Sequence, residues 1–382
     1  MKILYTAAHG GFARERVPLG GGAAVFELLR AAWPEVEPIV PGTVTGRELV
    51  SYSEMESAAF CRRFEAESTA AILRYEPNEC VVLVNDISEG PDFARLAKAG
   101  YRLFTIFHVD VVAYVAAIYG RGWVAPEALV GWHGRLGSFY PDVLQLVFQK
   151  QLDCVRHSTA CIVPSPEMRD VIHRCYGPRV RVEVLPWGTP PATHTSERIP
   201  ADDRTTLLTL SRISPEKNQH VLLEALLQWE QQGKVPKLRL RLCGEPAFMK
   251  GRAYAEKLKQ LAGRLRQVEV EFPGHVTGQA KAEQFAEADL YVFPSSHESY
   301  GLTLMEAFQA GLPALTLDHA GAKSLMRAEF GRMASADSFL PALRELVRDR
   351  GRLREMGRAA REFARANPFS ATATRLRNLL LA

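Results

Sequence analysis

Ser295-Ser-His-Glu-Ser-Tyr-Gly-Leu-Thr-Leu-Met-Glu-Ala-Phe-Gln-Ala-Gly311 is the stretch on which the reading of this chain turns. It follows the apolar run Asp289–Pro294 and sets two carboxylates, Glu298 and Glu306, with seven residues between them. Glu298 closes a loop, and Glu306 falls inside a helix expected to start near Gly301. Helical side chains lean toward the N-terminal end of their helix, so Glu306 reaches back toward the pocket that Glu298 faces. The first N–H groups of a helix lack intrahelical partners and attract anions. Those of Tyr300, Gly301 and Leu302 therefore form a phosphate cradle between two acceptors for sugar hydroxyls. That combination describes a nucleotide-sugar site. A solvated loop before an ordinary amphipathic helix is the plainer alternative. The flanking Pro-Ser-Ser, Tyr-Gly and Ala-Gly-Leu-Pro favour the site.

Similar strand and helix alternation extends in both directions. Strand-like runs at Thr206–Leu210, Leu238–Cys243, Val268–Phe272, Asp289–Pro294 and Pro313–Leu317 alternate with helical patterns. An earlier series, Lys2–Ala8, Cys80–Asp86, Arg102–His108, Ala160–Pro164 and Val180–Pro186, does the same. Apolar strands interleaved with helices indicate parallel sheets covered on both faces, with ligands at the carboxyl ends of the strands. Between the two series, Trp187 to Pro200 is rich in Pro, Thr and Ser and reads as a linker. The expected fold class is α/β, with two doubly wound, Rossmann-like domains facing across a cleft. The expected boundaries are an acceptor-binding domain at 1–187, a linker at 188–203, a nucleotide-sugar domain at 204–366, and a C-terminal helix at 367–382 packing back on the first domain.

Bulk properties narrow the function classes. A chain of 382 residues is too long for one compact core. Forty-seven Lys and Arg against forty-three Asp and Glu give +4, too weak a bias for nucleic acid but compatible with anionic small substrates or a lightly anionic membrane surface. The six cysteines show no C-x-x-C pair, as expected of free thiols in a reducing compartment. Lys2 leads straight into a strand, and Val111–Gly120 is about half the length of a bilayer span. A cytoplasmic protein is expected, with at most peripheral contact on the membrane's cytoplasmic face. Ten arginines against four acids between Pro341 and Ala382 form either a solvated cationic face or a contact for anionic lipid or acceptor.

After the first strand of the second series comes Ser211-Arg-Ile-Ser-Pro-Glu-Lys217. Arg212 and Lys217 stand at a strand's carboxyl end, where a nucleotide diphosphate without metal needs fixed cations. No Asp-x-Asp occurs in the chain, so no metal is expected.

From Ser211 to Pro313 the chain resembles the retaining, glycogen-synthase-like glycosyltransferases of family 4 (glycosyl transferases group 1), which have the GT-B fold. The residues that carry the resemblance are Ser211-Arg212, Glu216-Lys217, Cys243-Gly244-Glu245, Phe272-Pro-Gly-His-Val276, Pro294-Ser295, Glu298-Ser-Tyr-Gly301, Glu306-Ala307 and Gly311-Leu-Pro313. The first half is similar more loosely, through Gly20-Gly-Gly22, Thr105-Ile-Phe-His108 and Val163-Pro-Ser165. The resemblance implies that Arg212 and Lys217 bind the donor diphosphate and that Glu298 holds donor-sugar hydroxyls. It implies phosphate contacts from the segment Ser299, Tyr300, Gly301, Leu302 and Thr303, and ribose contacts from Glu306. His275 and Val276 would meet the base, His108 would lie near the transferred sugar, and Gly21 and Gly22 would approach the diphosphate. The expected donor is a nucleotide sugar, UDP-linked, with no cofactor and no metal; the acceptor is a saccharide or lipid-linked saccharide. Two positions depart from the family: Trp187-Gly188 replaces a common Asn-Gly, and Ser324 stands where a glutamate is frequent. The second departure removes one sugar contact.

Acceptor candidates come from the first half. Arg14 and Arg16 lie in the long connection from His9 to Leu19, and Asn85 and Asp86 end a strand. Trp123, Trp132 and Arg135 belong to an aromatic-rich stretch suited to acceptor recognition, to a membrane interface or to the core. Three rival functions share some of these features: a GT-B epimerase or phosphorylase, a nicotinamide dehydrogenase lacking its G-x-G-x-x-G signature, and a noncatalytic nucleotide-sugar-binding partner.

Overall fold

The structure is a computed structural model and describes residues 1–8, 20–41, 54–118, 124–136, 141–192, 203–247 and 250–382. The chain divides into two compact units, Met1–Trp187 with Ser370–Ala382, and Gly188–Phe369.

The first unit holds β1 (Lys2–Thr6), β2 (Glu37–Ile39), β3 (Cys80–Val84), β4 (Leu103–Ile106), β5 (Ala160–Val163) and β6 (Val182–Val184). They form one sheet in the order β2-β1-β3-β4-β5-β6, with every pairing parallel. β3 (Cys-Val-Val-Leu-Val) is buried along its whole length, as a central strand covered on both faces must be. The strand order reverses between β1 and β3, which marks the ligand-collecting switch point of such a sheet. The C-terminal segment completes this unit. Thr372 Oγ1 donates to the Pro186 carbonyl at 2.6 Å, and Arg377 donates to Glu35 at 2.9 Å.

The second unit repeats the plan with β7 (Thr205–Leu210), β8 (Leu238–Cys243), β9 (Val268–Gly274), β10 (Leu290–Phe293), β11 (Ala314–Leu317) and β12 (Gly331–Ala334). The order is β12-β11-β10-β7-β8-β9, again all parallel. Its switch point lies between β7 and β10, the strands that precede the Arg212/Lys217 and Glu298 motifs. The core gathers Leu207, Leu240, Leu290, Val292 and Leu315 from the strands and Leu222, Leu226, Leu258 and Leu343 from the helices. Near the sheet edge β8 alternates Leu and Arg, and Arg241 pairs with Glu271 of β9 at 2.8 Å.

In the helix Arg350–Ala366, Leu353, Met356, Ala360 and Ala364 are buried while Arg354, Arg358, Arg361 and Arg365 are exposed. Arg361 is also bound inward, donating to the Ala310 carbonyl at 2.7 Å. Among the described residues no helix is long and apolar enough to cross a membrane. All six cysteines are free thiols.

Candidate active site

The second unit's switch point brings the charged motifs together. β7 ends at Leu210, and the chain turns through Arg212 into a 3-10 turn, Pro215–Lys217. Asn218 then takes a left-handed conformation (φ 50°) and opens the helix Gln219–Gln232. Gln219 Nε2 holds the loop by donating to Ser211 Oγ at 2.9 Å and to the Arg212 carbonyl at 2.8 Å. The neighbouring loop after β10 is tied to this one. Ser296 N–H and Ser296 Oγ both donate to the Glu216 carbonyl, at 3.1 and 3.2 Å.

This stitching sets Lys217 Nζ against Glu298 Oε1 in a direct ion pair. Burial alone would raise the Glu298 carboxyl, but the Lys217 ammonium outweighs it and holds the carboxyl below its ordinary range. Gly301 turns the chain into the helix Leu302–Gln309 with φ 108°, a conformation that suits only glycine without strain. The helix begins four residues after Glu298, past half-buried Ser299, and half-buried Arg212 lies in the loop that carries Lys217. Tyr300 is buried, and its hydroxyl accepts the Gly188 N–H at 2.7 Å. Thr303 Oγ1 accepts from Tyr291 at 2.9 Å. Further along the helix, Glu306 Oε1 accepts from Lys281 Nζ at 2.7 Å. His275 is exposed and Val276 half-buried in the turn between β9 and the helix Gly278–Glu287. Nearby, a cavity of about 550 Å³ opens at the carboxyl ends of β8 and β9, lined in part by Gly244, Glu245, Phe272 and Gly274.

The loop after β11 supports this arrangement from behind. Gly321 N–H donates to the Glu298 carbonyl at 3.0 Å. A Cβ at Gly321 would stand 2.5 Å from the Tyr300 carbonyl oxygen, so this close approach needs glycine. His319 is buried and caps the helix Ala320–Leu325, its Nδ1 accepting the Ala322 N–H at 3.1 Å. Burial pushes its imidazole down to about 4, with the Glu298 charge opposing.

The first unit assembles a separate polar cluster at its own switch point. Asn85 Oδ1 accepts from Tyr5 Oη at 2.7 Å and lies 3.0 Å from His108 Nε2. An amide oxygen only accepts, so His108 carries its hydrogen on Nε2. Asn85 Nδ2 donates to the Gly22 carbonyl at 3.3 Å and to Asp86 Oδ1 at 3.2 Å, and Asp86 Oδ2 accepts the Ala8 N–H at 2.9 Å. His108 stacks on Trp187 with ring centroids 5.9 Å apart.

The first helix spans Gly21–Ala32 with Gly20 as its cap, so Gly21 and Gly22 stand in its first turn. A Cβ at Gly22 would approach His108 Cδ2 to 3.1 Å, so the missing side chain makes room for the imidazole. Asn85 was expected to face an acceptor. It is 1% exposed, with its amide engaged by its neighbours, and serves to hold His108.

Trp132 is exposed on the helix Pro126–Leu136, which also carries Arg135. Arg14, Arg16 and Trp123 lie outside the described residues. Among the described residues, no three His, Cys, Asp or Glu side chains gather as a metal site. Sequence reasoning missed Lys281 and His319. Lys281 belongs to no motif; His319 had one signal, a histidine at the carboxyl end of an apolar strand.

Residues 193–363 match the family described as Glycosyl transferases group 1. A GDP-mannose-dependent alpha-(1-6)-phosphatidylinositol monomannoside mannosyltransferase of Mycobacterium tuberculosis is 29% identical over 213 residues, covering 50% of this chain and 53% of the relative. The sulfoquinovosyl transferase SQD2 of Arabidopsis thaliana is 26% identical over 176 residues, 44% of this chain and 32% of the relative. The chain thus spans about a third to a half of the length of these curated relatives. Among solved structures, Anabaena HepE in complex with UDP and glucose superposes with a TM-score of 0.71 at 16% identity, covering 100% of both chains. WaaG, a glycosyltransferase involved in lipopolysaccharide biosynthesis, gives 0.67 at 17% identity, covering 99% of each chain. The family match lies within the second unit, and the fold is that of the GT-B glycosyltransferases.

Proposed function

We propose that this chain is a retaining glycosyltransferase. It moves a sugar from a nucleotide diphosphate donor to a hydroxyl of a glycolipid or polysaccharide-precursor acceptor. The observation that carries the reading is the Lys217–Glu298 pair at the second unit's switch point, with Arg212 in the loop that carries Lys217 and the helix Leu302–Gln309 starting four residues after Glu298.

The diphosphate takes Lys217, Arg212 and the first N–H groups of that helix. Charge grows on the leaving diphosphate as the bond to the anomeric carbon breaks, and fixed donors of this kind stabilise it without reorganising. The acceptor oxygen bonds to the anomeric carbon on the same face. Its proton passes to a departing phosphate oxygen, so no protein nucleophile takes part. Glu298 holds sugar hydroxyls, Glu306 holds the ribose, and the base occupies the cavity beside His275 and Val276.

The donor is UDP-linked in this reading. The M. tuberculosis relative's name favours a GDP-linked donor as the second reading. The same name, and that of WaaG, support an acceptor anchored to lipid and therefore peripheral contact with a membrane. The test is turnover against a panel of UDP- and GDP-sugars with a lipid-linked saccharide, with and without EDTA. Transfer that retains anomeric configuration and survives chelation is the expected result. Release of a free epimer, phosphate-dependent cleavage or chelator-sensitive transfer overturns it.

A further inference from the structure

We infer that His319 is a second holder of the Glu298 carboxylate, receiving it when Lys217 turns to the donor diphosphate. It is thereby a positioning residue for the transferred sugar. The inference rests on the reading of the second unit as the donor site.

His319 is 5% exposed, and its Nδ1 accepts the Ala322 N–H at 3.1 Å. A neutral imidazole that accepts at Nδ1 carries its hydrogen at Nε2. That Nε2 is buried and has no hydrogen-bond partner among the described residues. Buried N–H groups without an acceptor are rare, and each calls for an explanation. Capping explains Nδ1 alone, and an aspartate or asparagine would cap this helix without leaving an orphan donor.

The position supplies the explanation. His319 follows β11 directly, and its ring lies edge-on to Phe293, the last residue of β10, with centroids 5.8 Å apart. Two residues on, Gly321 donates to the Glu298 carbonyl. The imidazole therefore stands behind the loop that carries Glu298, and it interacts electrostatically with both Glu298 and Lys217.

Glu298 has a problem that this N–H solves. Its carboxylate, 16% exposed, pairs with Lys217, the cation that a diphosphate would claim. Without that cation only the Ser295 side chain still bonds it, and an underpaired carboxylate in such a place is strongly disfavoured. A neutral donor within the same pocket steadies it and adds no competing positive charge. One carboxylate oxygen goes to His319, and the other stays available to sugar hydroxyls. Lysine in that role would draw the diphosphate back, and a leucine would leave the carboxylate unsupported.

Three variants separate this role from the cap. His319→Asn keeps a capping acceptor and removes the distal donor. His319→Leu removes both, and His319→Gln restores a distal N–H. Binding is measured by calorimetry for UDP, UDP-glucose, GDP and GDP-mannose, comparing each nucleoside diphosphate with its sugar nucleotide. The expected result is weaker diphosphate affinity in Asn and Leu, where the carboxylate that Lys217 leaves has no second holder, and recovery in Gln. Sugar-nucleotide affinity falls about tenfold or more in Asn and Leu, as for a lost hydrogen bond to a charged group, and recovers in Gln. Losses that Gln fails to reverse, or no loss for any of the four ligands, overturn the inference and leave the donor site standing. A wild-type protein that binds none of the four ligands overturns the donor site itself.

Discussion

Replacing Lys217 with alanine strikes structure and chemistry at once, and the two effects can be separated. Lys217 and Glu298 are 11% and 16% exposed, close to the buried limit. Exposed ion pairs contribute about 0–1 kcal/mol, whereas truncating one partner of a buried pair costs about 3–5 kcal/mol. The remaining exposure places this pair near 2–3 kcal/mol, roughly, because solvent still reaches both groups. In Lys217→Ala, burial becomes the main influence on Glu298 and raises its carboxyl. The stability that the pair supplies in the wild type is complete above the ordinary carboxylate value of 4.5 and is lost as pH falls through the lowered folded value. Lys217→Ala removes that component. Turnover should fall by about 10²–10³, the cost of losing one preorganised donor to a developing charge. Adding Glu298→Gln removes the unpaired carboxylate, so the double variant should recover most of the stability and none of the turnover. Urea unfolding at pH 7 and steady-state transfer are the two assays. Turnover within a few-fold of wild type in Lys217→Ala, or recovery of turnover in the double variant, refutes the reasoning.

The remaining predictions concern neighbouring groups. His319 is held neutral with a folded value of about 4 against 6.5 unfolded, so the protein loses up to about 3 kcal/mol of stability as pH falls from 6.5 to 4. His319→Asn should flatten that part of the stability profile, measured by urea midpoints across pH; an unchanged slope would count against the buried neutral imidazole. Gly321→Ala drives a methyl into the Tyr300 carbonyl and displaces the loop ahead of the helix tip, and overpacking of this kind costs about 1–3 kcal/mol. Diphosphate affinity should weaken along with stability, and calorimetry showing wild-type affinity would contradict the loop's role. Glu306→Ala should raise the donor KM about tenfold, through lost ribose hydrogen bonds, and leave kcat nearly unchanged. A fall in kcat at constant KM would move Glu306 from the ribose to the reaction.

Most of the framework is legible in the chain, for a physical reason. Central parallel strands are buried on both faces, so β3, β5 and β10 are uninterrupted apolar runs. The two strands not read from the sequence are β2 and β12, one at an edge of each sheet. Glu37-Pro-Ile39 and Gly331-Arg-Met-Ala334 are short and pair on one side only, so little in their composition requires a strand. The charged motifs are legible because each is compact and follows a strand. Their pairing is not: Lys217 and Glu298 are 81 positions apart, and only the order of β7 beside β10 brings them together. Lys281 meets Glu306 from the helix Gly278–Glu287, where a lone lysine resembles any solvated charge. His319 escaped because the signal of a histidine lies in its two nitrogens' partners, which only the folded chain reveals.

The central claim is that fixed cations and a helix tip in the second unit receive the donor's diphosphate. A crystal structure of the protein soaked with UDP or GDP tests it most directly. The account predicts phosphate oxygens within hydrogen-bond distance of Lys217 Nζ, the Arg212 guanidinium and the backbone N–H groups near Leu302, with Lys217 drawn off Glu298. A nucleotide bound elsewhere, or a Lys217–Glu298 pair left intact beside a bound diphosphate, would contradict it.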